Sequence, residues 1–127
     1  MIKDFLIINF IGKKNLIGLR VDNNFFVKKF QINIKNNDAL VSSILDIIKK
    51  KKAIINKNFS VIVNIGPGSF SGIRTSLAAA KGIKISKGVK IYGYKDRDLT
   101  KFDKKNIEFL INRNLIENKL IKPIYLS

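Results

Sequence analysis

The feature that most constrains this chain is a glycine-rich turn, GPGSFSG, which separates an apolar run from an alanine-rich segment. The run Ser60–Ile65 is short and rich in Val and Ile, which is typical of a buried strand. The glycines and proline at 66–68 can continue neither a strand nor a helix. From Ser71 onward the residues favour a helix. The stretch 59–87 therefore predicts a strand, a tight turn and a helix.

The sequence before this stretch predicts three strands and a first helix. Apolar or alternating runs at Phe5–Phe10, Leu16–Val21 and Phe25–Ile34 are separated by turn residues, which predicts an antiparallel meander. Asp38 is the predicted N-cap of a helix over Ala39–Lys50. The apolar residues of this helix cover a wider arc than one sheet contact requires. Two interpretations stay open: an apolar helix in a small protein, or a helix that also contacts a partner.

The sequence after this stretch predicts a further strand and a third helix. Val89–Tyr94 is the strand, so the predicted order is βββαβαβ, an α/β fold. Lys95–Lys101 is polar and predicts a loop, and Asp103–Ile116 has apolar residues at helical spacing. The segment Leu120–Leu126, which contains Pro123, predicts an edge strand or an extended segment.

Composition limits the chemistry that the chain can perform. Its 127 residues indicate one domain, and they include no cysteine and no histidine, so the commonest general base and the usual zinc ligands are missing. The net charge of +16 comes mostly from lysine. It indicates either attraction to an anionic partner such as RNA, or an A/T-rich coding sequence whose lysines cover a solvated surface. No signal peptide or apolar span of bilayer length is present, which predicts a cytoplasmic protein with no membrane partner.

Three interpretations of GPGSFSG compete. The first is a tight turn in which Ser69 or Ser71 caps the following helix. The second is phosphate binding at a helix N-terminus, although the glycine spacing fits neither the P-loop nor the dinucleotide motif. The third is a family motif, because IGPGSFSGIRTSLAAAKGI closely resembles the GPGSFTGLR segment of the TsaB (YeaZ) family. The loop residues of this motif are Gly66, Pro67, Gly68, Ser69, Phe70 and Gly72.

The resemblance covers residues 5–94 and the last few residues. The segment Pro123–Leu126 is similar to the closing PxYLR of the family, with Ser127 in place of Arg. The resemblance implies an actin-like ATPase (ribonuclease H-like) fold, with residues 1–94 as its N-terminal subdomain. Residues 95–127 would be a much reduced C-terminal helix and tail packed on the same domain. Because the family-like ending is retained, we expect an internal contraction of the second subdomain.

The resemblance also implies a function and its partners. The chain would be a non-catalytic subunit that binds TsaD, the subunit that transfers threonylcarbamoyl to the adenosine beside the anticodon of tRNA (the t6A modification). The ATPase TsaE and tRNA would join within the complex, and the chain would form a homodimer when TsaD is absent. Two helices would pack against the equivalent helices of the partner as a four-helix bundle. The residues assigned to this surface are Leu40, Val41, Ile44, Leu45, Ile48, Gly72, Arg74, Ser76, Ala79 and Ile83.

One departure from the family bears on catalysis. Asn9, Phe10 and Ile11 stand where the family has Asp-Thr-Ser, and an amide cannot replace a carboxylate at a Mg²⁺ site. We therefore expect no catalytic, metal or cofactor site. Two rival functions stay open, a small actin-like or glycoprotease-like nucleotide-binding hydrolase and a basic RNA-binding module. Arg74 is either an ion-pair donor to a partner or a nearby acid, or an exposed side chain whose stem covers the loop.

Overall fold

The computed structural model contains one mixed sheet with helices on both faces, and it describes residues 2–12, 14–31, 39–118 and 123–124. Its elements in chain order are β1 (Phe5–Asn9), β2 (Leu16–Val21), β3 (Asn24–Lys29), α1 (Ala39–Lys50), β4 (Ser60–Asn64), α2 (Phe70–Lys87), β5 (Lys90–Tyr94), a 3-10 turn (Asp96–Asp98), α3 (Lys104–Asn112) and β6 (Ile116–Glu117). The predicted βββαβαβ order is confirmed, and α3 and β6 follow it.

The sheet has six strands in the order β3-β2-β1-β4-β5-β6. The first three strands form the predicted antiparallel meander, whereas β1, β4 and β5 run parallel to one another. The strand β6 is antiparallel to β5. The central strands β1 and β4 are buried along almost their whole length, which explains why both are continuous apolar runs in the sequence.

Each face of the sheet carries its own apolar cluster, because alternate residues of a strand point to opposite faces. Leu6 and Ile8 of β1 pack with α1 and α2 in one cluster. Phe5 and Ile7 pack with α3 in the other, whose helix residues are Ile107, Leu110 and Ile111. The α1 and α2 helices therefore lie on one side of the sheet and α3 on the other.

The third strand is shorter than predicted. It begins at Asn24 and ends at Lys29, not at Ile34, because the chain leaves the sheet at Phe30. The Phe30 N–H still donates to the Asn15 carbonyl at 3.0 Å, and its ring packs edge-on against Phe10 with centroids 5.0 Å apart. Burial of this ring draws the backbone toward the α1–α2 side. The predicted residues 32–34, and the predicted N-cap Asp38, lie outside the described residues.

The third helix is also shorter than predicted, since it ends at Asn112 and not at Ile116. Asn114 adopts a left-handed conformation with φ of 55°, which turns the chain back so that Ile116 pairs with Tyr94 in β6. The N-cap of this helix is Asp103, because its carboxylate accepts the N–H of Asn106 at 2.9 Å. Of the predicted segment 120–126, only residues 123 and 124 are described. They are not part of a strand in the structure.

The α2 helix is the longest of the described elements, and one residue at each end fixes its bounds. Ser69 caps its N-terminus, and Gly88 ends it with φ of 73° and an N–H donated to the Lys84 carbonyl at 2.8 Å. Within the described part of the chain, no helix combines the length and the apolar character that crossing a bilayer demands.

Candidate functional site

The glycine loop, residues 65–72, joins the carboxyl end of β4 to α2. The Gly66–Pro67 peptide bond is cis, and Gly66 has a φ of 101°, a conformation that favours glycine. Backbone hydrogen bonds tie the start of the loop to its neighbours: the Ile65 N–H donates to the Tyr94 carbonyl at 2.9 Å, and the Asp96 N–H donates to the Gly66 carbonyl at 2.9 Å. The Ile124 N–H reaches the Ile65 carbonyl at 2.7 Å. The loop is thus held from two sides.

Several loop amides donate hydrogen bonds within the chain. The Gly66 N–H donates to the Asn64 side chain at 2.8 Å, and the Ser69 N–H to the Ile11 carbonyl at 3.0 Å. The Gly72 N–H donates to the Ser69 hydroxyl at 3.3 Å, which makes Ser69 the N-cap of α2. An anion-binding loop needs free amides aimed at its ligand. The Gly66, Ser69 and Gly72 amides are used within the chain, as a tight turn capped by Ser69 requires.

The loop glycines allow close packing against neighbouring backbone. A β-carbon on Gly66 would come closer than 3.0 Å to the Ile124 carbonyl oxygen, and one on Gly72 equally close to the Phe10 carbonyl oxygen. A β-carbon on Gly68 would meet Ile11 in the same way. Residues 10 and 11 are the apolar pair that follows Asn9 at the end of β1. The glycine loop therefore packs directly against residues 10 and 11.

A polar cluster lies beside the loop, at the carboxyl ends of the parallel strands. The Asn64 amide donates to the Asn9 side-chain oxygen at 2.7 Å and to the Asp96 carboxylate at 3.1 Å. The Asn9 amide in turn donates to the Lys14 carbonyl at 3.1 Å. Both ends of the Asn9 side chain thus have partners within the chain. Sequence analysis identified Asn9 but missed its partners. Their positions in the sequence indicate this contact, because Asn64 ends β4 and Asp96 follows β5 at the same edge of the sheet.

Tyr94 places a buried hydroxyl next to this cluster. The side chain is 1% exposed, and its hydroxyl has no hydrogen-bond partner among the described residues. Burial raises the pKa of Tyr94 far above its ordinary value, the charge of Asp96 raises it further, and the Asn64 amide acts in the opposite direction. The phenol is therefore neutral at any physiological pH, which makes it unsuited to act as a base.

Four residues that were predicted to contact a partner are core residues of this chain. Leu40 and Ile44 pack in the cluster beneath α1. Gly72 is buried against Phe10, and Ser76 is buried with its hydroxyl donated to the Gly72 carbonyl at 2.9 Å. Gly72 thus lets the chain's own backbone at Phe10 approach α2 closely, and Ser76 is buried with its hydroxyl bonded inside the helix. This part of the predicted surface is corrected.

The remaining apolar residues of the predicted surface are wholly or partly exposed. Val41 is 44% exposed and Leu45 is 63% exposed, one turn apart on α1. Ile48 continues this stripe, and Ala79 and Ile83 lie one turn apart on α2. These three are half-buried against the core cluster. The helices α1 and α2 contact each other. We call these five residues the α1–α2 face.

Arg74 lies on the first turns of α2, where its guanidinium lies 5.7 Å from the centre of the Phe70 ring. The Arg74 side chain is exposed and has no ion pair with any described residue. Phe70 is half exposed at the outer side of the glycine loop. Arg74 therefore lies beside the Phe70 ring, and no acid among the described residues forms an ion pair with it.

Fold and loop together place this chain among the α/β proteins of actin-like, ribonuclease H-like architecture, and the predicted fold class is confirmed. Two solved structures share the fold: YeaZ from Pseudomonas aeruginosa, and an uncharacterized protein with similarity to peptidase YeaZ from the same species. Both superpose with a TM-score of 0.66 over 76% of this chain, at 13% sequence identity. The chain spans 45% of the first structure and 44% of the second, so it resembles a shortened YeaZ. No family model and no curated protein matches the sequence.

Proposed function

We propose that this chain is a non-catalytic partner subunit that binds TsaD and supports threonylcarbamoyl transfer to the adenosine beside the anticodon of tRNA. The observation that carries the proposal is the exposed apolar surface of Val41 and Leu45 on a helix whose opposite side already fills the core. Apolar side chains that are exposed together on adjacent helices are typical of an interaction surface. The resemblance of the motif and the YeaZ fold support the choice of TsaD as the proposed partner.

The carboxyl edge of the sheet supports a non-catalytic role. Among the described residues, those that meet there are two asparagines, a neutral tyrosine and one carboxylate, and the two asparagines hydrogen-bond to each other. A Mg²⁺ site that supports phosphoryl chemistry requires charged oxygen ligands and space for phosphate. Here the glycine loop packs against residues 10 and 11. The nucleotide-binding hydrolase is for this reason the weaker candidate.

Co-purification with the TsaD of the same organism tests the proposal. The two chains are co-expressed with a tag on TsaD, and the captured material is resolved by size-exclusion chromatography. We expect a stoichiometric complex with the wild type and its loss with Leu45→Arg, because the charge would have to be buried without a partner. Ala79→Arg provides a second disruption on α2.

Ile85→Arg is the matched control. Ile85 is 87% exposed on α2 and belongs to neither core cluster, so the same substitution there leaves the α1–α2 face unchanged. Circular dichroism of each isolated variant checks that it is folded. The proposal is wrong if the wild type does not bind TsaD. It is also wrong if Ile85→Arg abolishes the complex as completely as Leu45→Arg does.

A further inference from the structure

A cleft of about 980 Å³ lies at the opposite end of the parallel strands from the glycine loop. Its lining includes the residues at the amino ends of β1, β4 and β5, among them Asp4, Ser60 and Lys90. One wall is the loop that precedes β4, and the other is the carboxyl end of α3, including Asn112. The family motif and the α1–α2 face contribute nothing to this cleft.

The charge around the cleft is positive. Lys3, Lys57 and Lys90 line it and are exposed, and Asp4 is the acidic residue among the described lining residues. A β-carbon built on Gly88 would lie 4.0 Å from the Lys57 β-carbon, so the last turn of α2, with Lys84 and Lys87, lies next to this rim. These lysines add to the field of a chain whose net charge is +16. Such a rim attracts the phosphates of a polyanion.

The lining of the cleft also includes groups that can hydrogen-bond or stack with bases. Asparagine amides both donate and accept hydrogen bonds, and four of them line the cleft: Asn56, Asn58, Asn112 and Asn114. Tyr92 also lines it, and its side chain is half-buried against the apolar cluster that contains the α3 residues Ile107 and Leu110. A half-buried aromatic ring that lines an open cleft is suited to stacking a base.

We propose that this cleft binds single-stranded nucleic acid, with the lysines on the phosphates, Tyr92 stacked on a base and the asparagines on base edges. A paired duplex could not present a free base face to Tyr92. A free phosphate would contact the lysines alone and would leave Tyr92 and the asparagines without a role. The combination of cations, amides and an aromatic ring along one open cleft therefore fits an unpaired strand. This inference does not rest on the proposed partner, because the two surfaces involve different residues.

Fluorescence anisotropy of the full chain with a labelled single-stranded RNA of about 12 nucleotides tests the proposal. Binding is measured between about 50 and 200 mM salt for the wild type and for a variant with Lys3→Gln, Lys57→Gln and Lys90→Gln together. We expect affinity to fall at least about tenfold in this variant. The slope of log affinity against log salt should decrease by about 2, since each lost phosphate contact contributes about 0.7 on a single strand.

The matched control carries Lys49→Gln, Lys81→Gln and Lys101→Gln, which remove the same charge from exposed positions outside the cleft. Tyr92→Leu should weaken binding about fivefold or more with the salt slope unchanged, and Tyr92→Phe should restore it. The proposal is overturned if the wild type does not bind, or if the two lysine variants lose affinity equally. It is also overturned if a duplex of the same sequence binds as well, or if uridine monophosphate competes as effectively as the strand.

Discussion

Gly72 and Gly82 lie on the same helix, but we expect alanine to have opposite effects at the two positions. A β-carbon at Gly72 would come closer than 3.0 Å to the Phe10 carbonyl oxygen, whereas one at Gly82 would meet nothing within 4 Å. Gly72→Ala should therefore lower the free energy of unfolding by about 1–3 kcal/mol, because backbone has to move. Gly82→Ala should raise it by about 0.5–1 kcal/mol, because alanine is the better helix former. Urea denaturation of both variants measures the two effects.

The same two variants also test whether the glycines of the motif are needed for close packing. If the loop glycines serve close packing, Gly72→Ala destabilises the chain in the absence of any ligand or partner. Equal effects at the two positions would contradict that account, since helix propensity alone treats them alike.

Tyr94 provides a second test at the residue scale. Because its hydroxyl is buried without a partner among the described residues, Tyr94→Phe removes a desolvated polar group and leaves the ring in place. The free energy of unfolding should stay unchanged or rise by up to about 1 kcal/mol. Thermal and urea denaturation at neutral pH measure it. A loss of about 1 kcal/mol would instead indicate that the hydroxyl is hydrogen-bonded, with Asn64 as its neighbour.

At the scale of elements, α3 depends on its N-cap. The Asn106 backbone N–H and the Asn106 side-chain amide both donate to the Asp103 carboxylate. These two hydrogen bonds, the backbone one first, lower the pKa of Asp103 below its ordinary value. A lowered folded-state pKa means that the contribution is fully present above the ordinary aspartate pKa of about 3.9, and is lost as pH falls through the folded value. Asp103→Asn keeps a capping oxygen without a titrating group.

The wild type should therefore lose more stability than Asp103→Asn between neutral pH and about pH 3. Urea midpoints across this pH range measure the difference, and Asp46 serves as an internal reference. Its pKa is also lowered, chiefly by its hydrogen bond to Lys28, and it titrates alike in both proteins. Parallel pH profiles for the two proteins would show that the cap contributes nothing that depends on charge.

Much of the element order could be predicted from local patterns. The bounds of β2 and α1 agree with the prediction, because turn residues or a cap candidate flank each of them. Two features could not be predicted. The strand β6 has two residues and no periodicity, so it depends on the turn at Asn114 and on the free edge of β5. The third strand ends early because Phe30 packs on Phe10, a contact that is distant in sequence.

The candidate surface was predicted only in part, for a physical reason. In α1 the pairs Leu40–Ile44 and Val41–Leu45 both have i, i+4 spacing, so periodicity cannot tell which pair faces the sheet. In α2 a small residue such as Gly72 permits close approach of any backbone, and the structure shows that the approaching backbone is the chain's own, at Phe10. Tertiary packing therefore decides which face of each helix is buried and which face is exposed.

At the scale of the whole molecule, the candidate surfaces occupy different regions. The α1–α2 face lies on one side of the sheet, the glycine loop at the carboxyl end of the parallel strands, and the lysine-lined cleft at their amino end. A chain of 127 residues can therefore contact a protein through one surface and a polyanion through another. Each surface can be changed by substitution without touching the others.

The α1–α2 face predicts self-association when no other partner is present. Exposed Val41 and Leu45 can lie against the same residues of a second copy, since a two-fold axis makes a surface complementary to itself. A stable interface of this kind buries roughly 1,200–2,000 Å² in total. Sedimentation of the isolated chain at increasing concentration should show a dimer. Leu45→Arg should weaken the dimer at least tenfold, which is about 1.4 kcal/mol, and Ile85→Arg should leave it unchanged. A chain that stays monomeric at every concentration would limit this face to contacts with another protein.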